Sequence, residues 1–119
     1  MSNNLAESLY CEGRLAFDDL RYSEAVSLFI ASISHHAHYK AYELLGASLK
    51  ALDQTAEALA ALERAYELNS GSSKTACILA TYLLDEGSTD QCREIMNSVL
   101  AVKPTYGPAR KLLEDHFFK

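Results

Sequence analysis

An internal repeat with a period of 33 to 34 residues constrains this chain more than any other feature. Gly13 and Gly46 lie 33 residues apart, and Ala80 follows 34 residues later. Three further columns keep the same register: Ala25, Ala58 and Cys92; Phe29, Leu62 and Met96; His35, Leu68 and Val102. A repeat of this length is typical of stacked supersecondary units, each of which buries its apolar face against its neighbours.

Each unit has two stretches of apolar residues at helical spacing, separated by a short polar break. In the second unit, Leu45 and Leu49 belong to the first stretch and Leu62 belongs to the second. The pattern therefore predicts three helix–turn–helix units, at about residues 6–38, 39–72 and 73–106, with internal breaks at 21–23, 53–55 and 87–89.

The residues between the helices have turn and cap chemistry. Gly71 is expected to take a positive φ at the end of the second unit. Ser88 with Gln91 has the pattern of a capping box at the start of a helix. Pro104 ends the last helix of the third unit, because proline cannot continue the hydrogen-bond ladder. His35 is expected to be partly buried, because Leu68 and Val102 occupy its column.

A further helix is predicted at about residues 107–118, since Pro108 suits a first helical position. Its apolar residues, including Leu113 and Phe117, would cover the exposed face of the third unit as a cap. An alternative function follows from the same helix, in which Leu113, Phe117 and Phe118 mediate self-association into a homodimer.

The small residues in the middle of the first helices indicate close packing. Glycine inside a helix costs roughly 1 kcal/mol relative to alanine, so its recurrence at Gly13 and Gly46 needs a packing reason. We expect these positions, and Ala80, to face Ala25, Ala58 and Cys92 and to let the two helices of each pair approach closely.

This pattern resembles the tetratricopeptide repeat (TPR), a 34-residue helix–turn–helix unit, over roughly residues 6–105. The resemblance implies an all-α, right-handed α-solenoid of three repeats with a capping helix, forming one domain over residues 1–119. The sequence departs from the family pattern in having no tryptophan, and in placing Ala37 and Ser70 where proline is common. The matching residues are Gly13, Tyr22, Ala25 and Phe29; Leu45, Gly46, Ala58, Leu62 and Ala65; Leu79, Ala80, Gly87, Cys92, Met96, Val99 and Pro104.

The resemblance also implies a concave groove that is lined by the first helix of each repeat and binds a protein or peptide partner. Some family members clamp a C-terminal carboxylate there, but of the corresponding residues here only Lys74 fits. Aromatic anchors and Arg often dominate binding at interfaces. Packing within the chain or against a second copy is the alternative role for the aromatic residues. The predicted groove residues are Tyr10, Arg14, Phe17, Lys40, Glu43, Lys50, Lys74, Cys77, Thr81 and Leu84.

Composition excludes several other classes of function. The net charge of -5 disfavours nucleic acid as a partner, because phosphate binding needs clustered Lys and Arg. No apolar run is long enough to cross a membrane, and three cysteines without paired spacing indicate reduced thiols in a cytoplasmic protein.

No catalytic motif is present, so the chain is predicted to be neither an enzyme nor dependent on a cofactor. His35, His36 and His38 form a cluster at the end of a helix, for which a structural role is favoured over zinc binding.

Overall fold

The computed structural model describes residues 2–117, and this part of the chain consists of seven α-helices without a strand. The all-α prediction is confirmed. The helices are α1 (Ser2–Asp18), α2 (Tyr22–His35), α3 (Tyr39–Ala51), α4 (Thr55–Leu68), α5 (Ser73–Asp85), α6 (Thr89–Val102) and α7 (Gly107–Phe117).

The helices form two compact units. The first runs to Asn69 and contains α1 to α4, and the second begins at Ser70 and contains α5 to α7. In the first unit α1 packs against α2, α2 against α3, and α3 against α4; in the second, α5 packs against α6, and α7 against both. The assignment of the whole chain to one domain stays a prediction.

The core of the first unit is built around Phe29 and Leu62, whose side chains are fully buried. A β-carbon added at Gly13 would lie 2.6 Å from Cε1 of Phe29, and one added at Gly46 would lie 3.0 Å from Cγ of Leu62. Both glycines therefore allow the close approach that the sequence predicts. The group nearest Gly13, however, is the ring of Phe29, and not Ala25 as expected. Phe29 lies one turn after Ala25 on α2, and its larger side chain occupies the space beside Gly13.

A buried hydrogen bond joins the first two helices. The hydroxyl of Ser32, on α2, donates to the backbone carbonyl of Ala6, on α1, at 2.7 Å, and both residues are buried. This bond fixes the N-terminal half of α1 against α2, because a buried hydroxyl without a partner is costly.

The turn within each helix pair has the same backbone geometry. Leu20, Asp53 and Gly87 take positive φ values of 65°, 62° and 84°. In each turn the positive-φ residue donates its backbone N–H three residues back, and the next residue donates five residues back, as in the Schellman motif. Arg21, for example, donates to the carbonyl of Ala16 at 2.8 Å.

Two predictions about turns and caps are wrong. Gly71 does not have a positive φ, because the chain there passes between two repeats, not through a Schellman turn. Ser88 is the N-cap of α6, but its side chain makes no capping bond. Ser72 instead caps α5 by accepting a hydrogen bond from the backbone N–H of Thr75 at 3.1 Å.

The second unit buries Leu79 and Leu83 of α5 with Met96 of α6. Helix α7 adds Ala109 and Leu113 to this core, with 0% and 3% of their surfaces exposed. The prediction that this helix covers the third repeat is therefore confirmed.

The column that ends the second helix of each repeat is on the surface. Leu68 is 45% exposed, Val102 is 80% exposed, and His35 is also exposed. The prediction of a partly buried His35 is therefore wrong, because each residue of this column is the last of its helix and is exposed there.

Candidate partner-binding site

One face of α1 presents a mixed set of side chains at helical spacing. Glu7, Tyr10 and Arg14 lie three and four residues apart, so they share this face. Glu7 and Arg14 are exposed, whereas Tyr10 is half-buried. The ring of Tyr10 is held in place by Phe29, at a centroid distance of 5.9 Å, and by an edge-to-face contact with His38 at 5.3 Å.

The loop between α2 and α3 brings two imidazoles to the same place. His36 and His38 both have extended backbones, with φ values of -161° and -146°. Residues two apart in an extended chain point to the same side. Their rings accordingly stack at a centroid distance of 5.9 Å and an interplanar angle of 21°.

These residues surround a cleft of about 380 Å³ in the first unit. Its described lining combines the buried Ala6, the rings of one tyrosine and two histidines, and two charged side chains. The lining residues are Ala6, Glu7, Tyr10, His36, His38 and Lys40.

The electrostatics of the cleft favour the neutral forms of His38 and Tyr10. Burial lowers the pKa of His38, and the nearby His36 and Lys40 lower it further. Burial raises the pKa of the Tyr10 phenol, so this hydroxyl remains a neutral donor. The N-terminus of α3 adds positive potential, because a helix carries a partial positive charge at that end. Helix α3 does not offset this charge itself, since its first turn contains no acidic residue and its N-cap, His38, makes no side-chain capping bond.

The cleft contains two of the predicted groove residues, Tyr10 and Lys40. His36 and His38 were missed as members of a site. The signal for them was present, since two histidines separated by one residue in a turn align their rings if the backbone is extended.

Other predicted groove residues of the first unit lie outside the cleft. Phe17 is half-buried against Tyr22 in an edge-to-face contact at 5.5 Å, so it stabilises the turn between α1 and α2. Glu43 and Lys50 are half-buried on α3, and Arg14 is exposed on α1.

The remaining predicted groove residues are on α5, in the second unit. Lys74 is exposed, Leu84 is half-buried, and the exposed Thr81 donates its hydroxyl to the carbonyl of Cys77 at 2.8 Å. Cys77 is half-buried with its sulfur 3.8 Å from that of Met96, and burial raises the pKa of its thiol. A reactive thiolate is therefore disfavoured at this position.

The residues predicted for self-association differ in accessibility. Leu113 is buried in the second unit, and the half-buried ring of Phe117 lies under the guanidinium of Arg93, 4.7 Å from its Cζ. Phe118 lies outside the described residues. Self-association through this helix stays a prediction.

Residues 2–117 contain no group of three or more His, Cys, Asp or Glu side chains that could hold a metal ion. Within the same range, no helix is both long and apolar enough to cross a membrane. Cys11, Cys77 and Cys92 are all free, and the buried Cys92 has a pKa raised by burial.

Comparison with solved structures decides the fold. MamA superposes on 87% of this chain with a TM-score of 0.79 and 23% identity. The first TPR domain of Spaghetti (RPAP3), bound to an HSP90 peptide, covers 95% of the chain with a TM-score of 0.85 and 17% identity. The second TPR domain of human RPAP3, in complex with an HSP70 peptide, covers 97% with a TM-score of 0.85 and 18% identity.

The chain has the tetratricopeptide-repeat fold. The resemblance seen in the sequence is thereby confirmed for the fold. The chain spans 61% of the MamA chain, 90% of the Spaghetti domain and 97% of the human RPAP3 domain. No protein-family model matches the sequence, and no curated protein does.

Proposed function

We propose that this TPR chain is a non-catalytic protein-interaction module that binds a segment of a partner protein on the face formed by α1 and α3. The observation that carries the proposal is the cleft beside Tyr10, in a fold whose solved examples include domains bound to peptides. Such a module needs an accessible concave site with fixed aromatic groups, and the first unit provides one.

The energetics of this face suit a peptide segment. The ring of Tyr10 is already ordered by Phe29 and His38, so little conformational entropy remains to be lost when a partner covers it. The surrounding charges, Arg14 and Lys40, are exposed and can select the partner's polar groups. On α5 of the second unit, Lys74 and Leu84 stay candidates for further contacts.

The chaperone peptides bound by the similar domains are not proposed as ligands of this chain. A clamp for their C-terminal carboxylate requires several convergent cationic and amide groups. The corresponding residues here are Tyr10, Arg14, Leu44, Lys74 and Ile78. Lys74 alone fits, with Arg14 as the only other cation.

The proposal is tested by charge reversal on the exposed part of the face. Arg14→Glu combined with Lys40→Glu leaves the aromatic packing intact, so the fold should be retained by circular dichroism. Crosslinking followed by mass spectrometry in native lysate should show a partner captured by the wild type and lost by this variant. The matched control is Arg64→Glu with Lys111→Glu, which reverses two exposed charges elsewhere and should keep the partner.

Two results would contradict the proposal. The first is a partner that both variants retain equally, which would place recognition on another surface. The second is a wild type that captures nothing while the chain elutes as a dimer, which would favour self-association.

A further inference from the structure

We propose that the cleft lined by His36, His38 and Lys40 binds an acidic side chain of the partner segment, and that it does so more tightly as the pH falls from neutral to mildly acidic. The inference rests on the proposed function, and it names the ligand chemistry of that site. Aspartate or glutamate within a peptide segment, next to an apolar residue, is the group that fits.

The shape of the cleft supports a side chain of moderate size with an apolar stem. Among its lining residues, Ala6 offers apolar surface, and Tyr10 and His38 offer ring surface in edge-to-face contact. The phenol of Tyr10 and the ammonium of Lys40 are hydrogen-bond donors. A glutamate whose methylenes lie against the rings could therefore accept hydrogen bonds from these donors through its carboxylate.

Charges from every element around His38 decide the sign of the pH dependence. The loop contributes His36, and α3 contributes Lys40, with Tyr39 and Glu43 nearby. Helix α1 contributes Glu7 and Tyr10, and Cys11 and Arg14 lie near Tyr10 on the same helix. Among the described residues that line the cleft, Glu7 is the single carboxylate, beside one ammonium and two imidazoles.

Protonation of His38 in the free protein is opposed by burial, by the stacked ring of His36 and by Lys40. A bound carboxylate compensates for this cost, so binding favours the protonated form of His38. By linkage, protonation then strengthens binding by the same factor. A charge-assisted hydrogen bond is more stable than a neutral one by enough free energy to change the dissociation constant about tenfold.

The test uses two blocked hexapeptides that differ only in charge. One has two adjacent glutamates flanked by phenylalanines, and its twin has glutamines at the same two places. Binding is measured by nuclear magnetic resonance titration at about pH 5.8 and pH 7.8, on either side of the ordinary histidine pKa. We expect the glutamate peptide to bind about tenfold more tightly at the lower pH and the glutamine peptide to show no such change.

Variants of the cleft separate the contributions. His36→Gln with His38→Gln should abolish the pH dependence, and Lys40→Gln should weaken binding of the glutamate peptide at both pH values. Glu7→Gln should strengthen it, because it removes the opposing carboxylate. The control is His35→Gln, which removes an exposed histidine of the same cluster that does not line the cleft.

The possible failures are distinguishable. If both peptides shift the signals of Tyr10 equally at both pH values, the interaction face stands and the acidic-ligand inference is overturned. Persistence of the pH dependence in the double histidine variant overturns it too. If neither peptide binds at the lower pH, the inference is again overturned, whereas the proposed function is judged by the charge-reversal experiment.

Discussion

Replacing Gly13 by alanine tests whether the glycine in the first repeat is there for packing. An exposed helical glycine changed to alanine gains about 1 kcal/mol of stability. Here the new β-carbon would lie 2.6, 2.8 and 3.1 Å from three ring atoms of Phe29, whose side chain is fully buried. The ring must move against Tyr10, which lies 5.9 Å away between centroids. Such overpacking costs about 1–3 kcal/mol.

The expected net effect of Gly13→Ala is a loss of about 1 kcal/mol, with a range of about 0–2 kcal/mol set by the two opposing contributions. For a chain of 119 residues a loss of about 1 kcal/mol lowers Tm by about 4 °C, which thermal unfolding followed by circular dichroism can resolve. Gly71→Ala is the control, since no atom lies within 4 Å of its added β-carbon and its φ is not positive.

A second substitution isolates the steric cause. Phe29→Leu removes the ring edge that meets the new methyl group, so it should be less destabilising in the Gly13→Ala background than in the wild type. The coupling between the two sites should be about 1 kcal/mol. A Gly13→Ala protein that is more stable than the wild type, with no coupling to residue 29, would refute the packing argument.

Two further predictions concern the turn and the loop of the first unit. Leu20→Gly should stabilise the chain by about 0.5–1 kcal/mol in urea unfolding, because leucine at a φ of 65° is strained. Leu15→Gly within α1 is the control and should destabilise the chain. Equal losses of unfolding free energy in the two variants would contradict this prediction. His38 has a lowered pKa in the folded state, so the unfolded chain takes up a proton first, and stability is lost as the pH falls below about 6.5. His38→Gln should reduce this acid-induced loss of stability, measured by urea unfolding between about pH 7.5 and 5.5, and His35→Gln should not. An unchanged loss in His38→Gln would show that His38 is not its cause.

The repeat predicted the fold well because its columns report packing. Gly46 and Leu62 recur at a fixed interval, and in the structure the two residues face each other so closely that a β-carbon added at Gly46 would lie 3.0 Å from Cγ of Leu62. This kind of regularity is visible without coordinates. The turns within the helix pairs were harder to predict from the sequence. Leu20 and Asp53 have the same left-handed backbone conformation as Gly87, but among these three residue types only glycine indicates that conformation in a sequence. The hydrogen bond from Ser32 to Ala6 joins residues 26 positions apart, with no local pattern to indicate it.

The candidate site was only partly predictable because its chemistry does not repeat. The repeat offsets carry Tyr10 onto Glu43 and Cys77, and they carry His38 onto Gly71 and Thr105. The same scaffold positions therefore lack the ring pair in the later repeats, and no equivalent imidazole-lined cleft can form there from these positions. Residues that maintain the repeat must serve one packing geometry in every unit. Residues that break it are free to serve recognition, so the departures from the repeat pattern at the junction of the first two repeats are where a specific ligand is best sought.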